Sequence, residues 1–355
     1  MNKILFLAPS NSIHAKKWIE SQITDELQII WYSFYKKTYE IDKRIKYNEF
    51  KSNSLLQIIK SLFIFLNKIK EDDPKLIHCH YLGINLIPLF LLSSKRLIYT
   101  SPWGSDVKLV NPKSFKGFLL KIIFNKSKII TVDAAFMYNE VSKFSNKNLY
   151  KIERINFGTD INFFKREINN ISRIENNFKI ISLRNLEDIY NLETLILAVN
   201  ELINVNHYNN ILVDIYGTGS KEKELKDLVN FYKLENYITF RGRYDYLSLP
   251  SILNNYNLYI STSLSDAGLS ASTSEAMACE LPVLLSDNSE NPYWITNNSG
   301  FLFATNSFSS LSKNIIDIMK LPVLELEKIG QNGRNKILIE NNILIEMGKI
   351  NNLYQ

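Results

Sequence analysis

Cysteine is almost missing from this chain. Cys79 and Cys279 are the two it has, far apart in sequence, so there is no disulfide framework and a reducing compartment is expected. Metal-ligand spacings are missing too: neither the cysteines nor the four histidines form one, and no Asp-x-Asp pair occurs. Long apolar runs are absent. The longest, around Leu62–Leu66 and Leu86–Leu92, fall far short of the ~20 residues of a membrane span. The N-terminal ILFLA is too short for a signal-peptide core and reads as a first strand. That strand is followed by PSNSIH instead of a glycine fingerprint, which argues against a nicotinamide oxidoreductase. The formal net charge of +6 favours an anionic partner but is too mild and dispersed for nucleic acid. A soluble cytoplasmic protein is expected.

What is present is alternation. At 355 residues the chain suits two domains of ordinary size. In the first half, strands over Lys3–Ala8, Leu27–Ser33, Lys75–His80, Arg96–Thr100, Lys128–Val132 and Leu149–Ile155 are interleaved with helices. Those helices cover Asn53–Lys70, Tyr81–Leu92, Phe115–Phe124 and Ala134–Phe144, with another capped near Ser12. Such alternation predicts a doubly wound parallel sheet, whose ligands gather at the carboxyl ends of the strands. His14, His80 and Asp106 stand at those ends and are expected to line one crevice, although His78 and His80 equally suit buried structural positions. Two helices, KSLFIFLNKIK and KSFKGFLLKIIFNKSK, carry lysine rims beside apolar faces. Packing on the sheet explains most of their Leu and Ile, but leaves the extra Lys and Phe for an anionic membrane surface.

Residues 165–177 are polar, lack periodicity and read as a linker, after which the alternation restarts. The strand ends of the second half carry Arg184, then Gly217-Thr218-Gly219, then Arg241-Gly242-Arg243, then Asp266-Ala267-Gly268. Two glycine turns, three arginines and a helix N-terminus at one sheet edge predict an anion cradle. Residues 257–287 are its centre: a strand, a glycine loop, and a helix of small residues capped at Ser270 and ended by Leu281-Pro282. The unpaired amides of the helix N-terminus suit a phosphate, and Glu275, one turn in, could reach hydroxyls beside it. The bland alternative is an ordinary strand–helix turn with a solvated Glu. The small residues also imply that something approaches this helix closely.

These pieces together resemble a known family. Residues 181–197 (ISLRNLEDIYNLETLIL), 215–220 (IYGTGS), 239–243 (TFRGR) and 262–287, with His14, Trp18 and TSPWGSD at 100–106, are similar to the retaining glycosyltransferases of family 4. The resemblance implies a GT-B fold, two Rossmann-like domains facing across a cleft. It implies an acceptor-binding domain at 1–165, a nucleotide-sugar-binding domain at 166–335, and a helical segment at 336–355 crossing back to the first. The donor is usually a UDP-sugar and no metal or other cofactor is expected. Arg184 would hold the diphosphate with the amides at Leu269–Ala271, in a cradle that includes Gly217, Gly219 and Gly268. Glu275 would take the ribose hydroxyls, and the base would lie near Arg243 and Tyr244. Three positions depart from the family. Ala267 stands where the first Glu of the Glu, seven residues, Glu motif is expected, with Asp266 one place earlier. Tyr190-Asn191 replaces a Lys-Gly pair, and Trp103 stands where many relatives have histidine.

The expected reaction is sugar transfer with retention, by same-face attack of a hydroxyl on a glycan acceptor, lipid-linked at the inner face of a bacterial membrane. His14 and Asp106 are the candidates for orienting the substrates. The competing readings are a non-catalytic subunit that binds nucleotide sugar or a partner enzyme, and a sugar-nucleotide epimerase.

Overall fold

The computed structural model describes residues 2–92, 96–144, 151–167, 177–266 and 268–354. The chain divides into two compact units, Met1–Phe157 with Leu344–Gln355, and Gly158–Ile343. The expected linker at 165–177 lies largely outside the described residues, as does Ala267.

The first unit is built on seven strands: β1 Asn2–Leu7, β2 Leu27–Ser33, β3 Lys46–Glu49, β4 Leu76–His80, β5 Leu97–Ser101, β6 Ile129–Val132 and β7 Lys151–Arg154. They lie in the order β3-β2-β1-β4-β5-β6-β7, every pair parallel. A parallel sheet is covered on both faces, so its central strands are buried; β4 is buried at every position, His78 and His80 included. Helices Leu55–Asp72, Leu86–Phe90 and Phe115–Lys126 bring Phe65, Ile69, Leu86, Leu89, Leu120 and Ile123 into its core.

Two expectations fail here. Strand β3 is an edge strand, half-exposed and polar (KYNE), with no apolar run to announce it. The helix expected over Tyr81–Leu92 shrinks to Leu86–Phe90. Tyr81 has a left-handed backbone at φ 56°, Leu82 gives its N–H to Asp106, and Asn85 Nδ2 donates to the carbonyls of His80 and Tyr81, each at 3.1 Å. These side-chain bonds offer the backbone an alternative to a helical turn.

The second unit holds β8 Phe178–Ser182, β9 Ile211–Tyr216, β10 Ile238–Gly242, β11 Leu258–Ser261, β12 Val283–Ser286 and β13 Phe301–Phe303. Their order is β10-β9-β8-β11-β12-β13, again parallel. The small-residue helix, Ala271–Ala278, is buried from Ser272 onward. What approaches it is helix Val323–Glu340 of the same unit. A Cβ at Gly330 would stand 2.2 Å from the Glu280 carbonyl oxygen, and one at Gly333 would touch Met277 at 3.7 Å. The two helices therefore pack closely at Met277 and Glu280.

Strand order reverses between β1 and β4 in one sheet and between β8 and β11 in the other. In open α/β sheets the crevice beyond the carboxyl ends at that reversal is where ligands bind.

Candidate active site

At the reversal of the second sheet, the loop leaving β8 meets the loop leaving β11. Arg184, 7% exposed, pairs with the carboxylate of Asp266 and donates from Nη1 to Ser272 Oγ at 3.3 Å. Its guanidinium lies over the Tyr190 ring, 4.4 Å from the centroid, and the Tyr259 hydroxyl joins the cluster 2.8 Å from Ser272 Oγ. Burial opposes the charge on Arg184, but Asp266, Tyr259 and Tyr190 outweigh it, so the group is held even more firmly protonated. Arg184 Nε and Asp266 Oδ2 are both buried without a hydrogen-bond partner among the described residues. Such orphaned atoms are costly in a folded protein and are commonly met by a ligand or water.

Beside them, helix Ala271–Ala278 begins at Ser270, whose Oγ accepts the Thr273 N–H at 3.3 Å. The cap uses one N-terminal amide and leaves the positive end of the helix directed toward the same edge. Glu275 is 6% exposed and faces Tyr244 and Tyr246. Burial, then the Glu275 carboxylate, pushes the Tyr244 hydroxyl up to about 12, and Tyr246 rises for the same reasons.

The glycine turn 217–219 has a steric task. Gly217 stands at φ 137°, where an added Cβ would come 2.4 Å from the Arg184 carbonyl oxygen; one at Gly219 would come 2.2 Å from that of Leu186. Its backbone is committed to the fold, with Gly217 N–H on the Gly242 carbonyl at 2.8 Å and Leu186 N–H on that of Thr218 at 3.2 Å. The glycines therefore let the Arg184 loop lie against β9. Of the three arginines, Arg241 is paired with Asp214 at 3.0 Å and Arg243 donates to Thr218 Oγ1 at 3.3 Å. Arg184 is the one set against the helix N-terminus.

In the first unit, His14 and Trp18 sit on the helix after β1, and both rings contact Phe157, at 5.2 and 5.8 Å. Trp103 closes on Phe157 at 5.4 Å. Burial, then Lys17, brings His14 down to about 4, so it is neutral at pH 7. His80 is fully buried against Trp18, 4.9 Å between centroids, with neither ring nitrogen hydrogen-bonded among the described residues; burial brings it down to about 3. Asp106 is 1% exposed, and its two oxygens accept the N–H groups of Leu82 at 2.7 Å and Trp103 at 2.9 Å. Burial raises its pKa and those backbone bonds lower it, with burial prevailing. His80 and Asp106 are thus both buried, and the Asp106 carboxylate ties two loops together.

Residues 164–336 match the family model Glycosyl transferases group 1, and residues 3–134 match Glycosyl transferase 4-like. The chain belongs to the glycosyltransferases of the GT-B fold. It is 30% identical over 129 residues to an uncharacterized glycosyltransferase of Methanocaldococcus jannaschii. That match takes in 36% of this chain and 32% of the relative, so the chain spans about a third of it. Two solved structures share the fold over essentially their whole length. Sucrose-phosphate synthase of Thermosynechococcus elongatus is 15% identical with a TM-score of 0.84, covering 100% of this chain and 98% of that one. Anabaena HepE, in complex with UDP, is 18% identical with a TM-score of 0.79, covering 99% of each chain.

Within this glycosyltransferase, the second unit brings Arg184, Asp266, Gly268, Leu269, Ser270, Ala271 and Glu275 to one sheet edge, with Tyr244 facing Glu275. Sequence reasoning missed Tyr190, Tyr259 and Ser272, which hold Arg184. Tyr190 carried a signal, since it stands where relatives have Lys-Gly; its ring supports the arginine from its flat face. Tyr259 lies inside an apolar strand and nothing local distinguishes it.

Proposed function

We propose that this chain transfers a sugar from a nucleoside-diphosphate donor, UDP in the first instance, to a hydroxyl of a lipid-linked glycan, with retention, in bacterial surface polysaccharide synthesis. One observation carries the reading: Arg184 is almost fully buried at the sheet reversal, with an orphaned Nε, beside a helix N-terminus. A planar, always-charged donor in that place suits a diphosphate. HepE, which shares the fold, has been solved with UDP and with UDP-glucose.

Breaking the anomeric C–O bond leaves negative charge on the departing diphosphate. Donors fixed at that place stabilise the transition state more than the bound donor, and so speed the reaction. Arg184 and the amides at Leu269–Ala271 fill that role without a metal ion. Asp266 holds Arg184 before the donor arrives and gives it up to the diphosphate. Glu275 accepts from the ribose hydroxyls, and Arg243 and Tyr244 border the base. The acceptor hydroxyl attacks from the face the leaving group departs, and a diphosphate oxygen takes its proton. His14, neutral at pH 7, orients a substrate at the edge of the first sheet, whereas Asp106 positions the Trp103 loop.

A thermal-shift screen against nucleoside diphosphates and their sugars tests the donor, since a ligand that binds only the folded state raises its melting temperature. UDP and one UDP-sugar should stabilise the protein, and Arg184→Ala should remove that stabilisation. It should also cut turnover of a labelled donor by about 10²–10³-fold. Stabilisation without turnover across a wide acceptor panel would favour the non-catalytic binding subunit.

A further inference from the structure

The exposed apolar surface of the described residues is unevenly spread. Roughly half of its large apolar side chains lie on three neighbouring helices of the first unit and their flanks. Leu55, Leu56, Ile59 and Phe63 are 73, 80, 45 and 68% exposed on helix Leu55–Asp72. Phe115 and Phe118 are 77 and 54% exposed on helix Phe115–Lys126, and Phe90 is 39% exposed at the end of the short helix that touches both. Lys126 Nζ, 5.7 Å from the Phe90 ring centroid, links two of these helices. Core packing explains their inward residues, such as Phe65, Leu89 and Leu120, but none of these outward ones.

Up to the C-terminal end of the first helix, where Glu71 and Asp72 stand, charge on the same segments has one sign. Residues 51–70 hold Lys51, Lys60, Lys68 and Lys70 and no acidic residue, while residues 107–128 hold six lysines and none. A typical soluble surface intersperses both signs and avoids a large contiguous apolar patch. Among the described residues no helix is long and apolar enough to cross a membrane.

We infer that this three-helix face docks on the surface of an anionic lipid bilayer. The outward Leu and Phe enter the headgroup–acyl boundary, and the lysines around them meet lipid phosphates, as amphipathic surface helices do. A protein partner would need acidic groups matched to scattered lysines, whereas a bilayer presents anionic charge everywhere the lysines reach. The inference stands on this surface alone; only its use, bringing the enzyme to a lipid-linked acceptor, rests on the function proposed above.

Flotation with two kinds of vesicle tests it: phosphatidylcholine alone, and equimolar phosphatidylcholine and phosphatidylglycerol. The full chain should float with the mixed vesicles and remain behind with the neutral ones, and binding should fall with added salt. Phe63→Ser with Phe118→Ser should lower the bound fraction at least several-fold, and so should Lys60→Glu with Lys121→Glu. Both variants should keep the wild-type melting temperature and UDP-induced shift, which separates loss of docking from misfolding and from failure of the donor site. Wild-type protein that ignores mixed vesicles, or folded variants that bind them as wild type does, would overturn the inference. So would a dimer on size-exclusion chromatography that the Phe variants dissociate while vesicle binding stays absent.

Discussion

Asp266 and Glu275 lie one helical turn-and-loop apart, yet their placement separates their roles. Asp266 forms an ion pair with Arg184 on the side a diphosphate would occupy, while Glu275 faces Tyr244 and Tyr246. Asp266→Asn removes a competitor of the incoming anion, so UDP should bind more tightly, read by calorimetry. With Glu275 taking the ribose hydroxyls as proposed, Glu275→Gln should lower UDP affinity by roughly 10-fold. Equal effects of one sign would merge the two roles. A second prediction concerns acid. His14 and His80 titrate at about 4 and about 3 in the fold, against 6.5 when free. Both folded values are depressed, so the unfolded chain binds more protons between them and 6.5, and stability falls as pH drops through that window. Asp106, raised by burial, works in the opposite direction. Melting scans from neutral to acidic pH should show a shallower fall in His80→Phe than in wild type; identical slopes would clear His80 of the effect.

Among the elements, the turn 217–219 makes the sharpest claim. A methyl at Gly219 has the Leu186 carbonyl oxygen 2.2 Å away, and backbone cannot yield as a flexible side chain would. Gly219→Ala should cost about 1–3 kcal/mol in denaturant unfolding, and should also weaken UDP binding by shifting the Arg184 loop. This turn shows where the sequence was legible and where it misled. Strands with continuous apolar runs, such as β11 and β12, announce themselves, and the Ser270 cap follows from residue type and spacing. The glycines of IYGTGS were conspicuous too, but a glycine marks close approach without naming what approaches; here it is the β8 loop. Asp106 shows the same limit, because a carboxylate at a strand end looks the same in sequence whether it meets a substrate or two backbone amides. Strand β3 was illegible because an edge strand needs no apolar run.

In the whole molecule, the chain passes between its units twice, at 157–158 and at 343–344. Within each unit the two crossing segments are tied to one another. Thr159 N–H donates to the Asn341 carbonyl at 2.7 Å, Ile343 N–H to that of Thr159 at 3.1 Å, and Asn156 N–H to Glu346 at 2.8 Å. Helix Ile343–Tyr354 then buries Met347, Ile350 and Glu346. At its end, Tyr354 Oη meets His78 Nδ1 at 2.5 Å, and Tyr99 Oη donates to the Leu353 carbonyl at 2.7 Å. Tyr354→Phe leaves a buried imidazole nitrogen without its partner and should lower stability by about 1–3 kcal/mol, measured by thermal unfolding. An unchanged midpoint would mean that the helix is held by its apolar contacts alone.

Helix Ile343–Tyr354 also imposes an order on synthesis. Residues 344–355 are translated after both sheets yet complete the first unit, whereas Gly158–Ile343 is a continuous stretch that has every strand of its sheet beforehand. The later half should therefore reach its native state while the earlier half still waits, with the surface around His78 and Tyr99 uncovered. Nascent chains arrested after residue 343 and released from the ribosome should resist protease across the second unit and be cut within the first.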